Sequence, residues 1–140
     1  MKKETIRKIE LFFAENPIAI GKNSSITEIK SIEEELGLNI DDTHKYLLLN
    51  YGGVLIGNFR IYGMRNSIMM DDDTFIDLTK QAIKDGIPMK ETQYVISFDD
   101  SGNPILIDSQ TKTVSLFNYD TGELEKLSNS LEDLILEILR

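Results

Sequence analysis

The sequence predicts an α+β fold: a mostly antiparallel sheet of about five to six strands, flanked by amino-terminal helices and closed by a carboxyl-terminal helix. Three observations predict it. Apolar residues recur at helical spacing through residues 3–51, with a stop signal after each run. Short apolar runs separated by turn residues fill positions 93–127. A last helical run, opened by Ser130, ends the sequence. Helices, then strands, then a helix is the order of an α+β domain rather than of alternating βαβ units. At 140 residues the chain is expected to form a single domain, 1–140.

The elements follow in order. Ile6, Ile9 and Phe13 share a helical face over residues 3–15, with Phe12 at its flank, and Pro17 stops the helix. After a connector, Ser25-Ile26-Thr27-Glu28 has the form of a capping box. Ile29, Ile32 and Leu36 line the second helix, Glu33 to Glu35 are expected to face water, and Gly37 ends it. In the third, Ile40, His44, Leu47, Leu48 and Tyr51 make one continuous face. Asp41 or Asp42 serves as its N-cap, and Gly52-Gly53 stops it. His44, the only histidine, reads as a half-buried core ring with one nitrogen bonded to a neighbour. Val54–Ile56 and Asn58–Tyr62 read as two short strands bent at Gly57.

Periodicity lapses between Gly63 and Asp73, where Met64, Met69 and Met70 read either as fillers of core gaps, the favoured reading, or as an adaptable contact surface. Asp71-Asp72-Asp73 then stands before a helix over 74–85, with Phe75, Leu78 and Ala82 on one face. The triplet reads either as that helix's cap or as a patch for a metal or a partner. Gly86 and Pro88 end the helix. Strands follow at 94–98, 104–108 and 113–119, with turns at Asp99–Asn103 and Asp120–Gly122 and an extended run at Glu123–Leu127. Leu131, Leu134, Ile135 and Ile138 form the face of the closing helix.

The totals narrow the function. There is no cysteine, so disulfides, thiol chemistry and Cys-based zinc sites are excluded. The amino terminus lacks a signal-peptide pattern and no apolar run reaches membrane-spanning length, so a cytoplasmic protein is expected. Lys/Arg and Asp/Glu number nine each in residues 1–70, against six and fifteen in residues 71–140, so the whole net charge of −9 lies in the second half. Such a field repels nucleic acid and anionic membrane and draws in basic partners. An acidic surface also simply keeps a small domain in solution.

Motifs of chemistry are missing. Asp99–Asn103 lacks the ligand alternation and closing glutamate of a calcium loop. Gly52–Gly57 follows a helix and precedes a strand, the reverse of a phosphate-binding loop. His44 has no nucleophile to serve. No cofactor is expected and no catalytic residue is assigned, although with 24 acids a carboxylate-dependent enzyme stays open.

Several of these residues together resemble the SUKH superfamily, the Smi/Knr type of domain. Its helical segment has the form I-x-x-L-E-x-x-L-G, then Leu-Pro, then a helix ending in Gly-Gly. Ile29, Ile32, Glu33, Leu36 and Gly37 match the first part, and Ile40, Lys45, Leu47, Leu48, Tyr51, Gly52 and Gly53 the second. Phe98, Gly102, Ile107, Asp108, Val114 and the helix from Ser130 continue the likeness, which covers residues 25–140. Asp41 stands where the family usually has proline, His44 where it has an aromatic, and Asn103 where aspartate is frequent.

The resemblance implies a binding protein rather than an enzyme. Many bacterial members are immunity proteins that neutralise a cognate polymorphic or contact-dependent toxin, often a nuclease, encoded beside them; fungal relatives act as regulatory interaction proteins. On that reading the partner is a basic toxin protein, and Asp71, Asp72, Asp73, Asp99, Asp100 and Glu123 are the candidate contacts. A general regulatory or scaffold module is the alternative.

Overall fold

The computed structural model describes residues 1–140. It is α+β: α1 (Lys3–Glu15), a short 3-10 turn (Pro17–Ala19), α2 (Ile26–Leu36), α3 (Asp42–Asn50), β1 (Val54–Ile56), β2 (Phe59–Ile61), α4 (Phe75–Lys84), β3 (Gln93–Phe98), β4 (Pro104–Asp108), β5 (Val114–Asn118), β6 (Glu123–Ser128) and α5 (Leu131–Ile138). The strands do not form one sheet. They divide into a β1–β2 hairpin and a four-stranded antiparallel sheet ordered β3-β4-β5-β6. A main-chain bond from Tyr62 N–H to the Ile96 carbonyl (2.9 Å) links the two.

Alternation in the strands explains the layering. Tyr94, Ile96, Ile105, Ile107, Val114 and Leu116 share the main core with Ile9, Phe13, Ile29, Ile32, Leu47, Leu48, Leu131 and Ile135 from the helices. The opposite face carries Val95, Leu106 and Phe117, which pack with Ala82 and Ile87 from α4 and the loop after it. β4 is therefore buried on both faces, while β6 is an exposed edge strand. Glu123, Glu125 and Lys126 on β6, with a register shift opposite Val114/Ser115, blunt that edge against pairing with another chain.

Helix ends follow local chemistry, with three departures from expectation. Ser25 caps α2 by accepting the Glu28 amide (3.1 Å), but no reciprocal bond closes the box, because the Glu28 carboxylate pairs with Arg65. Glu33 does not face water: its carboxylate accepts the Ile40 amide (2.8 Å) and takes Lys45 (3.2 Å), joining α2 to α3. The Asp triplet does not cap α4; Thr74 does, in a reciprocal capping box with Asp77. Thr74→Ala is expected to cost about 1–2 kcal/mol in urea unfolding, whereas Asp72→Asn should leave stability within about 0.5 kcal/mol.

Of the three methionines, Met70 is buried in the core and Met64 packs partly buried against it, while Met69 is more than half exposed and fills no core gap. Asp41 rather than Asp42 caps α3, accepting the amides of Thr43 (3.0 Å) and His44 (3.3 Å). Lys112, from the β4–β5 turn, stands 3.7 Å from the buried Asp41 carboxylate and 3.4 Å from Asp42.

His44 is wholly buried rather than half-buried, and both ring nitrogens are bonded. Nε2 lies 2.9 Å from the Tyr62 carbonyl, which can only accept, so Nε2 carries the proton. Nδ1 therefore accepts from the Tyr94 hydroxyl (2.8 Å), which in turn accepts the Asp41 amide (3.2 Å). The ring packs edge-on to Phe75 (4.8 Å) and parallel to Tyr94 (5.7 Å). This chain ties α3, β2 and β3 together, and it fixes the residue from which the candidate surface begins.

Candidate protein-binding surface

Two glycine-rich approaches hold the loop after β2 against the helical layer. The Arg65 carbonyl accepts amides from Lys22 (3.2 Å) and Gly53 (3.0 Å), and the Gly53 carbonyl accepts from Ser67 (2.9 Å). Asn66 then organises the acids: its side chain accepts the Gly63 amide (2.8 Å) and donates to the carbonyls of Asp71 (3.0 Å) and Asp73 (2.7 Å). The acidic triplet is thus presented by an ordered loop.

Within it the three carboxylates differ. Asp71 accepts from the Tyr62 hydroxyl (2.7 Å) and from the Asp73 amide (3.1 Å), so part of its role is to hold the loop. Burial first, then Asp71, pushes the Tyr62 hydroxyl well up, which keeps it the donor. The Asp73 carboxyl is also pushed up, by burial and then by the crowding of Asp71, Asp77 and Asp72. Asp72 is exposed and makes neither a hydrogen bond nor an ion pair.

The β3–β4 turn carries the second group. Asp99 accepts the amides of Ser101 and Asn103 (both 2.9 Å) and the Asn103 side-chain amide (3.1 Å). Burial works to raise its carboxyl, but these donors outweigh it and hold the group below the usual carboxylate range. Asn103 also accepts the Tyr119 amide (3.0 Å), tying this turn to the β5–β6 turn. An aspartate there cannot donate to Asp99, which accounts physically for asparagine at this position. Asp100 is fully exposed, 3.7 Å from Arg60, a pair worth little in water. Glu123 begins β6 with its carboxylate free and exposed.

β2 brings the groups into one neighbourhood. Arg60 donates to the Phe98 carbonyl (3.0 Å) and lies 4.3 Å over the Phe98 ring, while the Tyr62 ring stacks on the same Phe98 at 5.4 Å. Asp71, Asp99 and Asp100 thus gather around Arg60, Tyr62 and Phe98. Glu123 sits one hairpin farther along the same end of the sheet, and Asp72 and Asp73 lead away into α4.

The sequence reading missed Arg60 and Tyr62, and also Asp85 and Tyr119. The alternation Arg60-Ile61-Tyr62 does place the first two on one face, but nothing in the sequence pairs them with Phe98, far along the chain on β3. Asp85 ends α4, its carboxylate accepting from Gln81 (2.9 Å) and from the Tyr119 hydroxyl (3.3 Å). No group of three or more Asp, Glu or His is arranged to hold a metal ion, and no helix is long and apolar enough to cross a membrane.

The surface offers unpaired or weakly paired carboxylates on a rigid scaffold, an arrangement suited to binding a cationic surface. No curated protein sequence matches the chain. The family profile SUKH_5, described as SMI1-KNR4 cell-wall, matches residues 4–140, so the likeness seen from residue 25 onward also takes in α1. The chain belongs to that SUKH family.

Proposed function

We propose that this chain is an immunity protein, which binds a cognate toxin and blocks it by occupying a basic surface. The observation that carries the reading is the set of acids at the turn end of the sheet and before α4: Asp72, Asp100 and Glu123 have no strong partner within the chain, on a scaffold of a family to which such proteins belong. A nuclease must hold phosphates in a cationic cleft, so an acidic inhibitor gains steering toward that cleft and competes with its substrate. Binding, not catalysis, is the activity. Asp71 and Asp99 spend hydrogen bonds on their own loops and serve as positioning groups, and the remaining acids meet the partner.

The test is co-expression with the product of the adjacent reading frame. Restored growth and a stable complex of the two purified proteins support the reading. Unrelieved killing with no complex rejects it.

A further inference from the structure

A cleft of about 260 Å³ opens between the carboxyl-terminal half of α4 and the β3–β4 turn. Leu78, Ala82, Val95 and Pro104 make it apolar, and Asp85 and Tyr119 stand among its lining residues. We propose that this cleft receives an arginine side chain of a basic partner protein. The choice of a toxin as that partner rests on the function proposed above; the recognition of arginine does not.

Size argues first. Sites for cofactors and drug-sized ligands run from roughly 300 to 1,000 Å³, so this cleft suits one inserted side chain. Chemistry argues second. A carboxylate has about four acceptor positions; Gln81 and Tyr119 take two of those on Asp85 and leave the rest. Asp85 is also the C-cap of α4, where the negative end of the helix dipole favours a cation. Asp99 and Asp100, from the turn that carries Gly102, line a separate hollow with Arg60, so Asp85 is the carboxylate of the cleft itself. The cation nearest to them, Arg60, is engaged with Phe98 and Asp100. Lys80 and Lys84 line a neighbouring hollow that shares Leu78 and Gln81 with the cleft; Lys80 pairs with Glu35, and neither lysine pairs with Asp85.

Arginine fits better than lysine. An apolar slot takes the methylene stem of either, but a planar guanidinium both stacks on a tyrosine ring and bonds a carboxylate edge, while an ammonium remains strongly hydrated. Anchors of this kind, a long side chain desolvated in a pocket with charge at its end, dominate the energetics of interfaces.

The experiment is an NMR titration of the purified chain with N-acetyl-arginine methylamide, with the lysine and norleucine analogues beside it. The expected result is saturable shifts at the Ala82, Gly102 and Tyr119 amides, in the millimolar range for arginine and weaker for lysine. Asp85→Asn should weaken binding about fivefold or more, and Gln81→Trp, which plugs the mouth, should abolish it. Both residues are exposed, so unchanged melting of the variants keeps the comparison clean. Absent shifts, equal shifts with norleucine, or undiminished binding by Asp85→Asn overturns the proposal. If the chain neutralises its toxin and both variants do so with unchanged affinity, the cleft reading fails and the immunity reading stands. Arginine binding without neutralisation of the adjacent product gives the reverse.

Discussion

Replacing His44 with alanine is expected to destabilise the fold by about 3–5 kcal/mol, the largest single-residue effect in the molecule. The substitution leaves a cavity beside Phe75, takes the ring donor from the buried Tyr62 carbonyl and leaves the Tyr94 hydroxyl proton without its acceptor, although that oxygen still takes the Asp41 amide. His44→Phe refills the space with an apolar ring, yet leaves the same two groups without the imidazole. It should therefore cost less, about 1–3 kcal/mol. Urea unfolding at pH 7.5 checks both values.

The same residue sets a pH dependence. Burial pushes the His44 ring down from 6.5 to about 4. The unfolded chain takes up a proton below about pH 6.5 that the native ring refuses until pH 4. Stability is thus full above 6.5 and falls through the window down to 4, by roughly 3 kcal/mol. Asp41 acts the other way at the acid end, since burial raises its carboxyl and the native state binds that proton more readily. In His44→Phe the loss between pH 6.5 and 5 should vanish. A wild-type protein equally stable at pH 7.5 and pH 5 contradicts the burial of a neutral ring.

Gly52→Ala should rank second, at roughly 3 kcal/mol or more. Gly52 has φ +81°, a left-handed conformation that favours glycine, and a Cβ there would run into the carbonyls of Lys22 and Arg65. Relief requires both the connector at Lys22, whose carbonyl is the nearer, and the 63–73 loop to draw back, breaking the bonds to Gly53 and loosening Asp71–Asp73. Hydrogen exchange should then speed at the Gly53 and Ser67 amides while those of β4 and β5 stay protected in proportion to global stability. A cost under about 1 kcal/mol would show that the loop does not approach as closely as described.

These residues also show where reading the sequence succeeds. Helix faces were legible because burial on one side imposes a period: Ile9 and Phe13, Ile29 and Ile32, Leu47 and Leu48 all reach the core. Gly52-Gly53 was legible as a helix stop, but its second reason, the docked loop, depends on Arg65 and Asn66 in a stretch with no periodicity. His44 was read as core, but its full burial required knowing that Tyr94 and Tyr62 meet it from strands far along the chain. Glu33 and the cap at Thr74 were misjudged because, in an acidic run, composition does not say which acid turns back to the main chain. The division into a hairpin and a four-stranded sheet was not legible, because hydrophobic alternation reports strands, not their pairing. Among the candidate contacts, turn chemistry identified the β3–β4 loop as exposed, yet it could not reveal that Asp99 is spent on its own turn while Asp100 and Asp72 are free.

If the negative surface does the binding, as proposed, charge should govern the rate of association. The most direct measurement is the association rate of the purified chain with the toxin proposed as its partner, as a function of salt, for the wild type and for Asp72→Asn/Asp100→Asn/Glu123→Gln together. The account predicts a wild-type rate that falls steeply with ionic strength, and a variant about tenfold slower at low salt with unchanged melting. A rate indifferent to both salt and the triple substitution would contradict it.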